Sequence, residues 1–178
     1  MKRYQSILNA GSIAGLLSYG SFLVLYYLLS FNPLGPGKLV AFIGVGVLMY
    51  FALKRHLDME LEGFATFRQL LTPALIFSFV FASLNGMLIY LHGAFVDAGF
   101  VELVVNDSLE SIGPYKDEMI NFMGKADYKK MLEEYQNLTF SEVALTDAQS
   151  KSFSSILLGL IFALTMRKNP PIFDDSEH

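Results

Sequence analysis

The chain has no cysteine and no tryptophan, and only 17% of its residues are charged. Without cysteine there are no disulfides, no thiolate metal ligands and no cysteine nucleophile. A net charge of −4 leaves no basic excess for neutralising phosphates, so no nucleic-acid partner is expected. GxSxG, HExxH and phosphate-loop patterns are missing too. The residues therefore nominate no catalytic, cofactor-binding or metal site. Asp117-Glu118 and Glu133-Glu134 lack the ligand pattern of a calcium loop and read as solvated helix faces.

The most telling absence is local. From Gln69 to Val96 there is no Asp, Glu, Lys or Arg, and Ser78, Ser83 and Asn85 are the mid-span polar groups. At about 1.5 Å rise per residue this stretch would reach roughly 42 Å as a helix, more than a hydrocarbon core of roughly 30 Å. It lacks the polar face that a soluble helix repeats every third or fourth position. It reads as a membrane-spanning helix.

What is present agrees with that reading. Hydrophobic residues make up 53% of the chain, with mean hydropathy +0.41. Met1-Lys2-Arg3 is a short basic leader before an uncharged run from Tyr4 to Gly37, longer than the core of about 7–15 residues in a cleaved signal. Spans are expected at about 7–31, 38–54, 69–96 and 152–166. Asn32-Pro33-Leu34-Gly35-Pro36-Gly37 forms a tight connection, and Lys38 and Lys54 snorkel to the two interfaces. Leu57 to Arg68 reads as an interfacial connector broken near Gly63, and Thr72-Pro73 as the first turn of the third span. Residues 97–149 carry 11 acidic and 4 basic residues at helical periodicity, and form a helical insertion. Val101 to Ile112 would continue the third helix, Gly113-Pro114 would open the next, and Thr139 and Glu142 have capping-box spacing. Residues 169–178 are expected to be a polar cytoplasmic tail.

The fold class is thus all-α: a polytopic membrane protein in one domain, residues 1–168, with four transmembrane helices and a helical extracytoplasmic insertion between the third and fourth. Lys2, Arg3, Lys54, Arg55, Arg68, Arg167 and Lys168 collect on one side, against Lys38 and Lys151 on the other. By the positive-inside rule both termini are cytoplasmic.

Candidate sites follow from residues that sit oddly in this pattern. Gly11 and Gly15 have small-xxx-small spacing and Gly44 lies in a similar Gly44-Val45-Gly46 surface, which suits close helix packing. Packing within the chain is preferred, with a homo-oligomer as the alternative. Asn85 and His92 are candidate polar contacts of the bundle, with Asp97 or Glu102 able to approach His92. An internally hydrogen-bonded histidine is the commoner outcome. Tyr115, Met119, Phe122, Met131 and Tyr135 form apolar stripes suited to a partner surface, although packing on a neighbouring helix is the commoner use. No ionisable group lies at the centre of any expected span, which disfavours an ion-coupled carrier.

The glycines of the first helix (Gly11, Gly15, Gly20), the stretch Phe64-Ala65-Thr66-Phe67-Arg68-Gln69 and the ending from Leu158 to Lys168 carry a resemblance. The chain resembles a bacterial integral-membrane family of uncharacterised function, family 4199 in the domain-of-unknown-function series, from roughly Tyr4 to Lys168. The resemblance implies a bacterial origin and a cytoplasmic-membrane address, and it brings no catalytic residues. The expected function is a non-catalytic accessory or scaffold component, partnered by the lipid bilayer and by a membrane or periplasmic protein. The alternative is a small carrier or permease using Asn85 and His92, and a membrane enzyme ranks third.

Overall fold

The computed structural model describes residues 4–168; the basic leader and the tail expected at 169–178 lie outside the described residues. Its helices are α1 (Gln5–Leu23), continued by a π-helical turn (Val24–Leu28), α2 (Lys38–Glu60), α3 (Phe67–Phe95), α4 (Phe100–Ile112), followed by a 3-10 turn (Gly113–Tyr115), α5 (Lys116–Met123), α6 (Lys125–Gln136) and α7 (Phe140–Thr165). No strand forms among the described residues, and the protein is all-α. Gln5–Leu28, Lys38–Glu60, Phe67–Phe95 and Phe140–Thr165 are long and apolar enough to cross a membrane.

Local chemistry moves several boundaries from their expected places. α2 runs on to Glu60, and the chain then reverses where Glu62 and Gly63 take positive φ of 54° and 81°. α3 starts at Phe67 because Thr66 and Gln69 cap it reciprocally: Thr66 N–H donates to Gln69 Oε1 at 2.9 Å and Gln69 N–H to Thr66 Oγ1 at 3.4 Å. Pro73 therefore lies inside the helix and not in its first turn. The third helix does not continue through Val101. It ends at Phe95, and Asp97 Oδ1 accepts the Gly99 N–H at 2.7 Å in a turn from which α4 restarts. α7 starts at Phe140, where Thr139 N–H donates to Glu142 Oε2 at 2.9 Å and Glu142 N–H to Thr139 Oγ1 at 3.3 Å.

The chain forms two compact units, and each long helix contributes residues to both. The first comprises residues 4–15, 43–84 and 150–168. Small residues set its helix spacing, as expected where lipid offers no hydrophobic drive and close backbone contact must supply the attraction. Gly11 stands against the Phe77 carbonyl and Val80, Gly15 against Leu84, and Gly159 against Ala74. Gly44 faces open space. Leu57, Ala65, Leu70 and Ala163 form a buried cluster. Beside it Ala65 and Lys168 exchange backbone hydrogen bonds of 2.9 and 3.0 Å in an isolated antiparallel bridge.

The second unit comprises residues 16–42 and 85–149. Phe22, Ile89, Phe100, Val143 and Ala144 make its core, with Tyr19, Tyr26 and Phe140 packed against them. Gly86 lies against Ala148 and Gly93 against Phe140. The turn after α1 is fastened by Asn32, whose Oδ1 accepts the Leu34 N–H at 2.9 Å and whose Nδ2 donates to Asp107 Oδ2 at 2.8 Å. α5 and α6 reverse on each other at Gly124, φ 87°.

Candidate functional site

Tyr19, Phe22 and Tyr26 are spaced to share one face of the first helix. The π-helical turn that follows is held by Leu29 N–H donating to the Val24 carbonyl at 3.2 Å. This wider turn separates successive residues by a smaller angle, and the Tyr26 and Tyr27 rings lie with centroids 4.6 Å apart. All three tyrosines meet the end of α3. His92, only 2% exposed, has Nδ1 at 3.0 Å from the Tyr19 hydroxyl and Nε2 at 3.2 Å from the Tyr27 hydroxyl. Phe22 lies edge-on to the imidazole at 5.2 Å.

A neutral imidazole has one donor and one acceptor nitrogen, so one tyrosine hydroxyl donates a hydrogen bond to the ring and the other accepts one from it. Both ring nitrogens are therefore occupied. Tyr26 turns to Asp97, donating to Oδ2 at 2.6 Å, while the Asp97 amide donates to the His92 carbonyl at 3.0 Å. An added Cβ on Gly99 would meet the Tyr26 hydroxyl at 2.8 Å, so a larger residue there would push this hydroxyl aside. The Tyr26 hydroxyl, and then the Gly99 amide, hold the Asp97 carboxyl below the usual carboxylate range.

A second polar feature lies in the same unit. Lys38 Nζ is 3.5 Å from Asp147 Oδ1, and Asp147 is buried. Lys151, also buried, follows one turn further along α7. Since α7 begins at Phe140, both ionisable residues belong to a helix long and apolar enough to span. Both precede the uncharged run from Ser152 to Thr165. Among the described residues, no group of three His, Cys, Asp or Glu could hold a metal ion.

The other nominated residues fall in separate places. Asn85 is fully buried on α3, two turns before His92, and Glu102 is exposed on α4. Phe122 is 90% exposed on α5 and Tyr115 is exposed just before it, while Met119, Met131 and Tyr135 are half-buried. Tyr128, which opens the second stripe, is buried.

The family model described as "Protein of unknown function (DUF4199)" matches residues 9–168. The chain belongs to the DUF4199 family. No curated protein and no solved structure matches this DUF4199 chain. The DUF4199 match spans the tyrosine–histidine–aspartate cluster and the Lys38–Asp147 pair alike.

Tyr19, Tyr26, Tyr27 and the Lys38–Asp147 pair were not singled out by sequence reasoning. Their partners lie 65 to 73 residues away for the tyrosines. The one local signal is the 19-22-26 aromatic spacing in the first DUF4199 helix. The Asp97 contact gives a pH test. Because the folded state favours the carboxylate, its contribution is complete above the ordinary carboxylate value and is lost as pH falls through the lowered one, from about pH 4 downward. Tyr26→Phe removes the chief cause, so the acid-induced fall in Tm should be smaller in the variant. Solvent screening keeps the difference to about 2 °C or less. Melting curves of both proteins between about pH 6 and pH 3 check it; parallel curves would detach Tyr26 from Asp97.

Proposed function

We propose that this DUF4199 protein is a non-catalytic component of the bacterial cytoplasmic membrane, an accessory or scaffold subunit that presents its α4–α6 segment to a membrane or periplasmic protein. The observation that carries the reading is Phe122, 90% exposed on a short helix outside the candidate spans. An aromatic ring left almost wholly uncovered there loses the stabilisation of burial, about 25 cal/mol per Å² of apolar surface, unless a partner covers it. Tyr115, just before the same helix, is exposed as well. The cation distribution favours an N-in/C-in arrangement with this segment outside: Lys54, Arg55, Arg68, Arg167 and Lys168 flank one set of helix ends. The opposite side has Lys38, already paired with Asp147, and the buried Lys151.

Phe122→Glu is expected to abolish co-purification of a stoichiometric partner from mild detergent at native expression, with the melting temperature of the chain unchanged. A partner that stays bound to the variant, or a wild-type protein with none, defeats the reading.

A carrier remains the second reading because Asn85 and His92 are buried along one helix. His92 already uses both ring nitrogens within the chain, which leaves it little capacity for a passing substrate.

A further inference from the structure

Within the first unit, residues 5–13 of α1 and 48–60 of α2 line a groove of about 600 Å³. That is a ligand-sized volume on the usual scale of roughly 300–1,000 Å³. Tyr4 stacks on His56 with ring centroids 5.4 Å apart, which sets the start of α1 beside the last turns of α2. The polarity of the groove is consequently graded along its length. Gln5, Ser6 and Asn9 share the polar end with Arg55 and Glu60, whereas Ile13, Leu48 and Phe51 line the apolar end. From Gln5 to Ile13 the helix advances about 12 Å.

The charged groups at the polar end are unspent. Lys54, next to Arg55 in sequence, pairs with Asp58 at 3.9 Å, whereas neither Arg55 nor Glu60 forms an ion pair with any described residue. Ile13 and Phe51 are exposed, so on helices that cross a bilayer the apolar end opens toward acyl chains. A cation with a planar fork of donors suits a phosphate, which guanidinium binds through two parallel hydrogen bonds. A carboxylate five residues further along the same helix suits a primary ammonium. It also counts against a purely anionic headgroup, which would meet it as a like charge. Arg55 and Glu60 both line the groove, about 7.5 Å apart along the helix axis, and together suit a headgroup that carries a phosphate and an ammonium.

We propose that the groove between α1 and α2 binds one phosphatidylethanolamine-type lipid, with its phosphate on Arg55, its ammonium on Glu60 and the first part of an acyl chain on Ile13, Leu48 and Phe51. This rests on the two helices crossing the bilayer and is independent of the partner surface on α5.

The test uses the full chain, purified in mild detergent, stripped of lipid and offered phosphatidylethanolamine, phosphatidylglycerol or phosphatidylcholine in mixed micelles. Bound lipid is counted by native mass spectrometry. One phosphatidylethanolamine per chain is expected, with the other two lipids roughly tenfold weaker. Arg55→Gln should lower its retention by roughly tenfold, and Glu60→Gln should close the gap with phosphatidylglycerol. Lys54→Gln, outside the groove lining, should behave as wild type. Ala10→Phe, which fills the groove and leaves every charge in place, should also release the lipid and serves if Arg55→Gln does not fold. Equal retention of all three lipids, or retention unchanged in Arg55→Gln and Ala10→Phe, would mean annular lipid only and overturn the assignment. Displacement by glycerophosphoethanolamine or inorganic phosphate at lipid-like concentration would overturn it too, by making the site one for a soluble phosphate.

Discussion

Gly86→Val should melt far below the wild-type protein in detergent. A Cβ placed on Gly86 would sit 2.6 Å from the Ala148 Cβ, against the roughly 3.5–4.0 Å at which two carbons reach optimal contact. Neither carbon can swing away, since each is fixed to its own backbone, so α3 and α7 must part at this crossing. Overpacking a fitted site costs about 1–3 kcal/mol when side chains can yield, and more when backbone has to move. The gain from replacing a helical glycine is under about 1 kcal/mol and does not offset it. A net loss of about 3 kcal/mol is the expectation. Gly44→Val is the matched control, because nothing lies within 4 Å of a Cβ there. Should both variants melt alike, the close crossing of α3 and α7 at Gly86 would be refuted.

The second large effect concerns charge. Lys38 and Asp147 approach to 3.5 Å with side chains 35% and 2% exposed. Taking away the lysine leaves a buried carboxylate facing one cation fewer, and breaking a buried pair from one side costs about 3–5 kcal/mol. Partial exposure of Lys38 allows some solvent screening, so Lys38→Met should cost about 2–3 kcal/mol. Adding Asp147→Asn removes the uncompensated charge and should restore most of the loss, since a buried pair replaced as a whole is often neutral. Lys54→Met gives the scale for an exposed pair, about 0–1 kcal/mol. A Lys38→Met protein no worse than Lys54→Met would remove the pair from the list of stabilising contacts. Failure of the double variant to recover would show that the carboxylate contributes beyond its pairing with Lys38.

These tests also mark where the sequence could and could not be read. The long uncharged run from Gln69 to Val96 places a spanning helix almost to its ends, because length and polarity alone decide that question. The Thr139–Glu142 cap is equally legible, as both partners lie within one turn of chain. That cap opens the fourth spanning-length helix, yet the sequence divides it into an insertion helix and a span from residue 152, because Asp147 and Lys151 look like solvent-facing charges in one dimension. The burial of Asp147 depends in part on Lys38, more than a hundred residues earlier. The His92 cluster fails the same way. The histidine itself stands out in an apolar run, but its partners are set by how α1 and α3 meet and by a π-helical turn. No periodicity in Val24-Leu25-Tyr26-Tyr27-Leu28 announces that turn.

The bridge between Ala65 and Lys168 has a mechanical consequence. Its two hydrogen bonds, 2.9 and 3.0 Å long, join the connector ahead of α3 to the residues just past α7. A tether or fusion attached beyond residue 168 would load this clasp before it loaded the helix. Tension on the chain would be shunted into the loop, and α7 would be strain-relieved until the clasp let go.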